Sequence, residues 1–102
     1  MFGFFINIRK IKKDYAGLFV KISEILIKYD PAGVFFGSNN DEYDLEVAHI
    51  IKKLGRCKSE KDVLNVVWVV LKGWFSQRVI KNKLELTPVA KEIWDVWSKY
   101  NR

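Results

Sequence analysis

The sequence predicts an all-α protein, a small four-helix bundle, from three observations. Residues 59–75 contain about fifteen residues without a turn signal, which is longer than an ordinary strand. Apolar residues recur at intervals of three and four in three further segments, the spacing of one helix face. Residues that start or end helices, such as Pro31, Gly55 and Pro88, separate these segments. Amphipathic helices joined by short connections are typical of a bundle.

The N-terminal segment, residues 1–13, allows two interpretations. Residues 2–8 alternate in the manner of a short strand, whereas Phe4, Ile8, Ile11 and Tyr15 have the spacing of a helix that runs onward. The sequence leaves this segment undecided.

The first clear helix covers residues 14–29. Lys21, Glu24 and Lys28 lie on its polar side. Pro31 disfavours helical geometry at Asp30, so the helix ends there. The apolar stripe consists of Tyr15, Leu18, Phe19, Ile22, Ile25, Leu26 and Tyr29.

A loop and a second helix follow. The apolar side chains of Val34, Phe35 and Phe36 predict that the loop folds back over the core. Asn39 and Glu42 have the spacing of a capping box, so the helix is expected to start near Asp41. It is expected to end at Gly55 with a left-handed C-cap. The predicted inward face is Tyr43, Val47, Ile50, Ile51 and Leu54, and a second face holds Glu42, Glu46, His49 and Lys53.

Residues 59–75 are predicted to form the central helix, around which the other helices pack. Ser59 and Asp62 resemble an N-cap followed by a first-turn acid. Val-Val-Trp-Val-Val also suits a buried strand, but the length of the run favours a helix. Beyond the first turn only Asn65 and Lys72 are polar. The expected inward residues are Val63, Val66, Val67, Val70, Leu71 and Trp74, with Leu64, Trp68 and Phe75 extending that face.

The last helix follows a connector. Thr87 is expected to be its N-cap and Pro88 its first helical residue. Val89, Ile93, Val96, Trp97 and Tyr100 then face the core.

Length and composition favour a single globular domain that covers residues 1–102. Hydrophobic residues make up 49% of the chain, but no apolar run is long enough to cross a membrane. The N-terminal apolar run lacks the order of a signal peptide, because its basic residues follow it. Cys57 is the single cysteine, which suits a reducing compartment, so the cytoplasm is the expected location.

Charge is distributed unevenly along a chain whose net charge is +6. Residues 30–46 contain five acidic residues and no Lys or Arg, whereas residues 47–86 contain nine basic and three acidic residues. First-turn carboxylates stabilise a helix through its dipole, which by itself accounts for Asp41, Glu42 and Asp44. The functional interpretation is an anionic surface for a basic protein partner. Its predicted contact residues are Asp30, Phe35, Phe36, Asp41, Glu42, Tyr43, Asp44 and Glu46.

No catalytic, metal or cofactor signature accompanies this block. A calcium loop that starts at Asn40 would need glycine where Leu45 stands. His49 and Cys57 do not have the pattern of a catalytic dyad, although Arg56 and Lys58 are expected to lower the pKa of the thiol. The prediction is a protein that is not an enzyme and takes no metal or cofactor.

Nucleic-acid binding is the main alternative function, and a small structural or regulatory adaptor protein is a third. Lys52, Lys53, Lys81 and Lys83 suit contacts with phosphates, but no base-reading motif accompanies them, so such binding would be non-specific. The four tryptophans are expected to pack in the core, with Trp94 the most exposed of them.

Two motifs carry a family resemblance, Asp-Pro-Ala-Gly-Val-Phe at residues 30–35 and Asp-Glu-Tyr-Asp at residues 41–44. With the flanking helices, over roughly residues 15–76, the sequence resembles an uncharacterised bacterial family of small helical proteins of unknown function. The resemblance implies a compact helical fold and a role as an immunity protein, the cytoplasmic partner that binds and neutralises a cognate secreted toxin domain. Inhibitors of nuclease toxins are often acidic, whereas this chain is basic, so the resemblance does not indicate the class of toxin.

Overall fold

Helices make up nearly all of the described structure. The computed structural model describes residues 7–31, 43–74 and 82–100. Across these ranges the chain contains no strand, which confirms the all-α class. The α-helices are α1 (Ile8–Asp14), α2 (Ala16–Tyr29), α3 (Asp44–Leu54), α4 (Glu60–Trp74) and α5 (Thr87–Tyr100), and a 3-10 helix (Lys83–Leu86) precedes α5. The described chain thus has five α-helices rather than the expected four, because α1 forms from the undecided N-terminal segment.

The start of the chain forms a short helix that breaks at Tyr15. The side chain of Asn7 caps α1 by accepting a hydrogen bond from the N–H of Lys10 at 3.0 Å. Tyr15 leaves helical geometry at φ −127° and ψ 39°, and α2 begins at Ala16. The predicted first helix is therefore α2, which starts two residues after Asp14. Because α1 packs against both α2 and α3, it covers part of α3, which the sequence did not predict.

The end of α2 agrees with the sequence. Asp30 adopts a left-handed conformation at φ 44°, and its N–H donates to the carbonyl of Leu26 at 2.7 Å. Pro31 excludes a helical Asp30, and aspartate tolerates the left-handed region better than most residues do. The loop that follows, with its predicted fold over the core and its capping box, lies outside the described residues.

The end of α3 differs from the prediction. Gly55 is right-handed at φ −59° and ψ −19°, so the expected left-handed C-cap is wrong. The chain instead leaves the helix through a tight turn. In this turn the N–H of Arg56 donates to the Lys53 carbonyl at 3.2 Å, and that of Cys57 to the Leu54 carbonyl at 2.9 Å. A turn of this kind needs no positive φ, so the glycine is not required by the backbone.

The start of α4 is as predicted. Ser59 Oγ accepts a hydrogen bond from the Asp62 N–H at 3.2 Å, and Asp62 Oδ2 accepts one from the Lys58 N–H at 2.9 Å. The helix buries Val63, Val67, Val70 and Leu71 completely. Val66, an expected centre of the core, is only half-buried, and the side chain of Trp74 lies outside the described part of the chain.

The connector before α5 contains the 3-10 helix. Asn82 caps it, with Oδ1 accepting from the Leu84 N–H at 2.9 Å. Thr87 has helical angles and continues directly from this turn, so the expected N-cap at Thr87 is wrong. Leu86, Val89, Ile93 and Trp97 are buried.

The core lies among the four longer helices. Helices α2 and α4 each pack against both α3 and α5, and the 3-10 helix packs against α4 and α5. Helix α3 is buried through six consecutive residues, 46–51. No helix in the described ranges is long and apolar enough to span a membrane.

Candidate interaction surface

Tyr43, expected to present an exposed edge to a partner, is fully buried. Its hydroxyl donates to Asp30 Oδ1 at 2.7 Å, a bond that joins the end of α2 to the start of α3. Tyr43 thus faces inward, as expected from its place on the inward face of the second helix, and the expectation that it also presents an exposed edge is wrong. The contact between Asp30 and Tyr43 is internal to the fold.

Asp44 is held within the fold by an ion pair. Its Oδ2 lies 2.6 Å from Lys12 Nζ, and its side chain is only 16% exposed. The same ammonium lies 5.4 Å from the centre of the Phe19 ring. The charge of Asp44 is therefore largely neutralised by α1.

Glu46 is buried inside the protein rather than displayed on an acidic face. Its Oε1 atom is buried without a hydrogen-bond partner. Burial raises the pKa of the carboxyl group, a hydrogen bond from its own backbone N–H opposes that rise, and the charge of Asp44 adds to it. The carboxylate is thus unfavourably placed for ionisation and is not offered to a partner. Phe35, Phe36, Asp41 and Glu42 lie outside the described residues.

Burial shifts the pKa of both His49 and Cys57. His49 is buried on α3, and burial lowers its pKa, with Lys52 and Lys53 acting in the same direction. Cys57 is half-buried, and its Sγ donates to the Lys53 carbonyl at 3.7 Å. Burial raises the pKa of the thiol, and Asp62 raises it further. The expectation that neighbouring basic residues lower this pKa is therefore wrong, because loss of water outweighs them.

Within residues 7–31, 43–74 and 82–100, no group of three or more His, Cys, Asp or Glu residues is placed to hold a metal ion.

The open surface that the structure does provide is the outer side of α4 with the adjoining 3-10 helix. We call it the α4 face and define it by Asn65, Trp68, Val69, Lys72, Lys83 and Leu84. Val69 is 54% exposed and Leu84 is 67% exposed, while Trp68 is half-buried. Two of the most exposed aliphatic side chains of the described chain thus belong to one face.

Two lysines, Lys72 and Lys83, contact other side chains of the α4 face. Lys72 Nζ lies 5.4 Å from the centre of the Trp68 ring, within the range of a cation–π contact. Lys83 Nζ donates to Asn65 Oδ1, which fixes the 3-10 helix against α4 one turn before Val69. The result is an apolar centre with positive charge beside it, the arrangement that attracts a partner with apolar and carboxylate groups.

The sequence indicates this face only in part. Helix α4 is apolar around most of its circumference, and that pattern predicts complete burial. In the structure Val69 is exposed and Trp68 is half-buried, so part of this apolar circumference stays open to water. Among the tryptophans, Trp97 is buried as expected, while Trp68 and Trp94 are both half-buried.

Comparisons with known proteins provide no relative for this chain. No protein-family model, no curated protein and no solved structure matches it. The resemblance to the uncharacterised helical family therefore stays an interpretation of the two motifs.

Proposed function

We propose that the protein is an immunity protein that acts without catalysis, by binding and neutralising a cognate secreted bacterial toxin domain. The observation that carries the binding role is the α4 face, where Val69 and Leu84 are exposed, Lys72 lies over the Trp68 ring and Lys83 is bonded to Asn65. The toxin as partner comes from the family resemblance of residues 30–35 and 41–44.

Contact of the aliphatic side chains of Val69 and Leu84 with water is unfavourable. Covering them with a partner therefore contributes favourably to the free energy of binding. Aromatic residues such as Trp68 are enriched among the few residues that dominate binding energy. Because Trp68 is half-buried and restrained by Lys72, it is already ordered before binding, which reduces the entropy lost on association.

The positive charge of the α4 face indicates which kind of toxin surface it binds. Lys72 and Lys83 favour a partner that presents carboxylates around an apolar patch. This proposal replaces the anionic surface inferred from the sequence, since Tyr43 and Glu46 are buried and Asp44 is paired. Phe35, Phe36, Asp41 and Glu42 stay predicted as further contacts. In the proposal the four longer helices act as a bundle that keeps the α4 face rigid, in the cytoplasm of a bacterium.

The test is co-purification of this protein with the C-terminal domain of the secreted protein encoded directly upstream of it. Val69→Glu places a charge at the centre of the α4 face, and the matched control is Val20→Glu on α2, where the valine is 56% exposed. We expect Val69→Glu to weaken the complex by about tenfold or more, as loss of a central contact does, and Val20→Glu to leave it unchanged.

Two results would contradict the proposal. Failure of the unaltered protein to bind the upstream domain would remove the immunity role. Equal affinity of Val69→Glu and the unaltered protein, with circular dichroism confirming that both are folded, would remove the α4 face as the binding site.

Non-specific nucleic-acid binding is the second candidate, and the placement of Lys72 over the Trp68 ring is the observation that favours it. Stacking of bases on an aromatic ring beside cations is a common way to bind single strands. Of the lysines expected to contact phosphates, Lys52 is exposed, Lys53 and Lys83 are half-buried, and Lys81 lies outside the described residues. A binding constant for an oligonucleotide that falls steeply with salt, and falls further in Lys83→Glu, would favour this function.

A further inference from the structure

A half-open pocket lies between the start of α2 and the end of α5, separate from the residues that define the α4 face. Its volume is about 310 Å³, near the lower end of the range of roughly 300–1,000 Å³ for small-ligand pockets. It is lined by Gly17, Leu18, Lys21, Val96, Lys99 and Tyr100. Four of the six lining residues are thus apolar or lack a side chain, and the other two are lysines.

An aromatic cluster holds one wall of this pocket in place. The ring of Tyr100 stacks on that of Trp97 with 6.1 Å between centres, and it lies 6.2 Å from the ring of Tyr15. Trp97 is itself buried in the core. Contacts of this kind fix ring orientation, so the wall is formed before a ligand arrives.

The two lysines supply positive charge that the fold does not use. Ion pairs within the described ranges involve Lys10, Lys12 and Lys28. Lys21 and Lys99 are exposed and belong to none of these pairs, although Asp95 lies one helical turn before Lys99. An apolar pocket lined by two lysines that form no ion pair in the described ranges complements a molecule that has an apolar body and one anionic end.

Gly17 is the feature that keeps the pocket accessible. It is helical, with no positive φ that would require glycine, and a Cβ added there would meet no atom within 4 Å. Glycine lowers helix stability relative to alanine, so its presence has a cost that the backbone does not explain. A side chain at this position would occupy open space, and Gly17 is one of the residues that line the pocket.

We propose that this pocket binds a small amphipathic carboxylate, an alkyl or aryl acid whose apolar part lies against Leu18, Val96 and Tyr100. Its carboxylate then lies between the ammonium groups of Lys21 and Lys99. This inference is independent of the proposed toxin partner, because the residues and the ligand differ.

The probe is octanoate, titrated into the full chain and followed by the NMR amide shifts of the residues around Gly17. A ligand of this size in a half-open pocket should bind with a dissociation constant on the order of 1 mM. Octylammonium, with the same alkyl chain and the opposite charge, should bind about tenfold more weakly or not at all.

Matched variants assign the binding to the pocket. Gly17→Leu fills it and should weaken octanoate binding about tenfold, whereas Gly55→Leu, at a glycine that is equally unobstructed, should leave binding unchanged. Lys21→Met with Lys99→Met should remove the preference for octanoate over octylammonium, whereas Lys58→Met with Lys91→Met should retain it.

The inference is overturned if octanoate causes no shift up to about 10 mM, a concentration well above the expected constant. Equal binding by Gly17→Leu and Gly55→Leu would also overturn it, as would equal affinity for octanoate and octylammonium. Thermal unfolding of each variant, followed by circular dichroism, verifies that the compared proteins are folded.

Discussion

Helix α3 is more buried, and helix α4 more exposed to water, than the sequence of each helix suggests. Helix α4 contains the longest uninterrupted apolar run of the chain, residues 66–71, yet Val69 within this run is 54% exposed. Helix α3 contains Glu46 and His49, yet it is buried through residues 46–51. The difference arises from their neighbours, since α3 packs against the three helices α1, α2 and α4, whereas α4 packs against α3, α5 and the 3-10 helix of only four residues.

Helix α3 belongs to the structural interior of the protein, whereas helix α4 has a side that is available for binding. On α3, polar groups are enclosed without full compensation, as the unpartnered Oε1 of Glu46 shows. On α4, apolar groups stay in water, although burial of each would stabilise the protein. Exposed apolar residues and buried polar residues are more informative about function than the reverse arrangement, because each has a free-energy cost.

The largest effect is expected from one substitution made on both helices. Ile50→Asp on α3 buries a carboxylate without a counter-charge, which costs several kcal/mol and removes most of a typical stability of about 5–15 kcal/mol. Val69→Asp on α4 should lower the free energy of unfolding by about 1 kcal/mol or less, since the side chain stays in water. Urea denaturation followed by circular dichroism measures both. Similar losses in the two variants would show that the outer side of α4 is buried in solution.

A smaller, pH-dependent effect is expected for Glu46→Gln. Burial raises the pKa of Glu46 in the folded protein above its ordinary value of 4.5, so ionisation disfavours folding. The favourable contribution of the neutral acid is present below pH 4.5 and is lost as the pH rises through the folded-state pKa. At pH 7 the variant should therefore be more stable than the unaltered protein by on the order of 1 kcal/mol, with the difference disappearing near pH 4.

Denaturation curves recorded at several pH values test this expectation. Glu24→Gln, at an exposed position on α2, is the matched control and should show no such pH dependence. If the unaltered protein were the more stable one at pH 7, the carboxylate of Glu46 would have a stabilising partner in solution.

The smallest effect is expected where α1 covers α3. Lys12→Met removes the 2.6 Å ion pair with Asp44 and should destabilise the protein by about 0.5 kcal/mol. The loss should diminish in high salt, because salt screens the pair in the unaltered protein. Lys13→Met, at an exposed lysine on the same helix, is the control. Thermal unfolding of the two variants at low and high ionic strength gives the comparison, and equal stabilities would show that the pair contributes nothing.

Local features of the fold were predictable from the sequence. The all-α class, the end of α2 before Pro31 and the start of α4 at Ser59 each depend on a few neighbouring residues. Predictions failed where a local pattern had two outcomes of similar free energy, as at Gly55 and Thr87. The conformation of the segment before Asp14 could not be predicted either. A seven-residue helix is not stable alone and depends on packing against other helices.

At the predicted acidic site, local sequence and tertiary packing determined different properties. The sequence determined which residues are acidic and that Asp44 and Glu46 lie in the first turn of a helix, because periodicity and capping are local properties. Only the tertiary structure decided that the Tyr43 hydroxyl donates to Asp30, that Lys12 pairs with Asp44 and that Glu46 is buried. It likewise decided which side of α4 stays open. Whether a side chain meets water depends on which helices pack around it, and that is set by contacts between residues far apart in the chain.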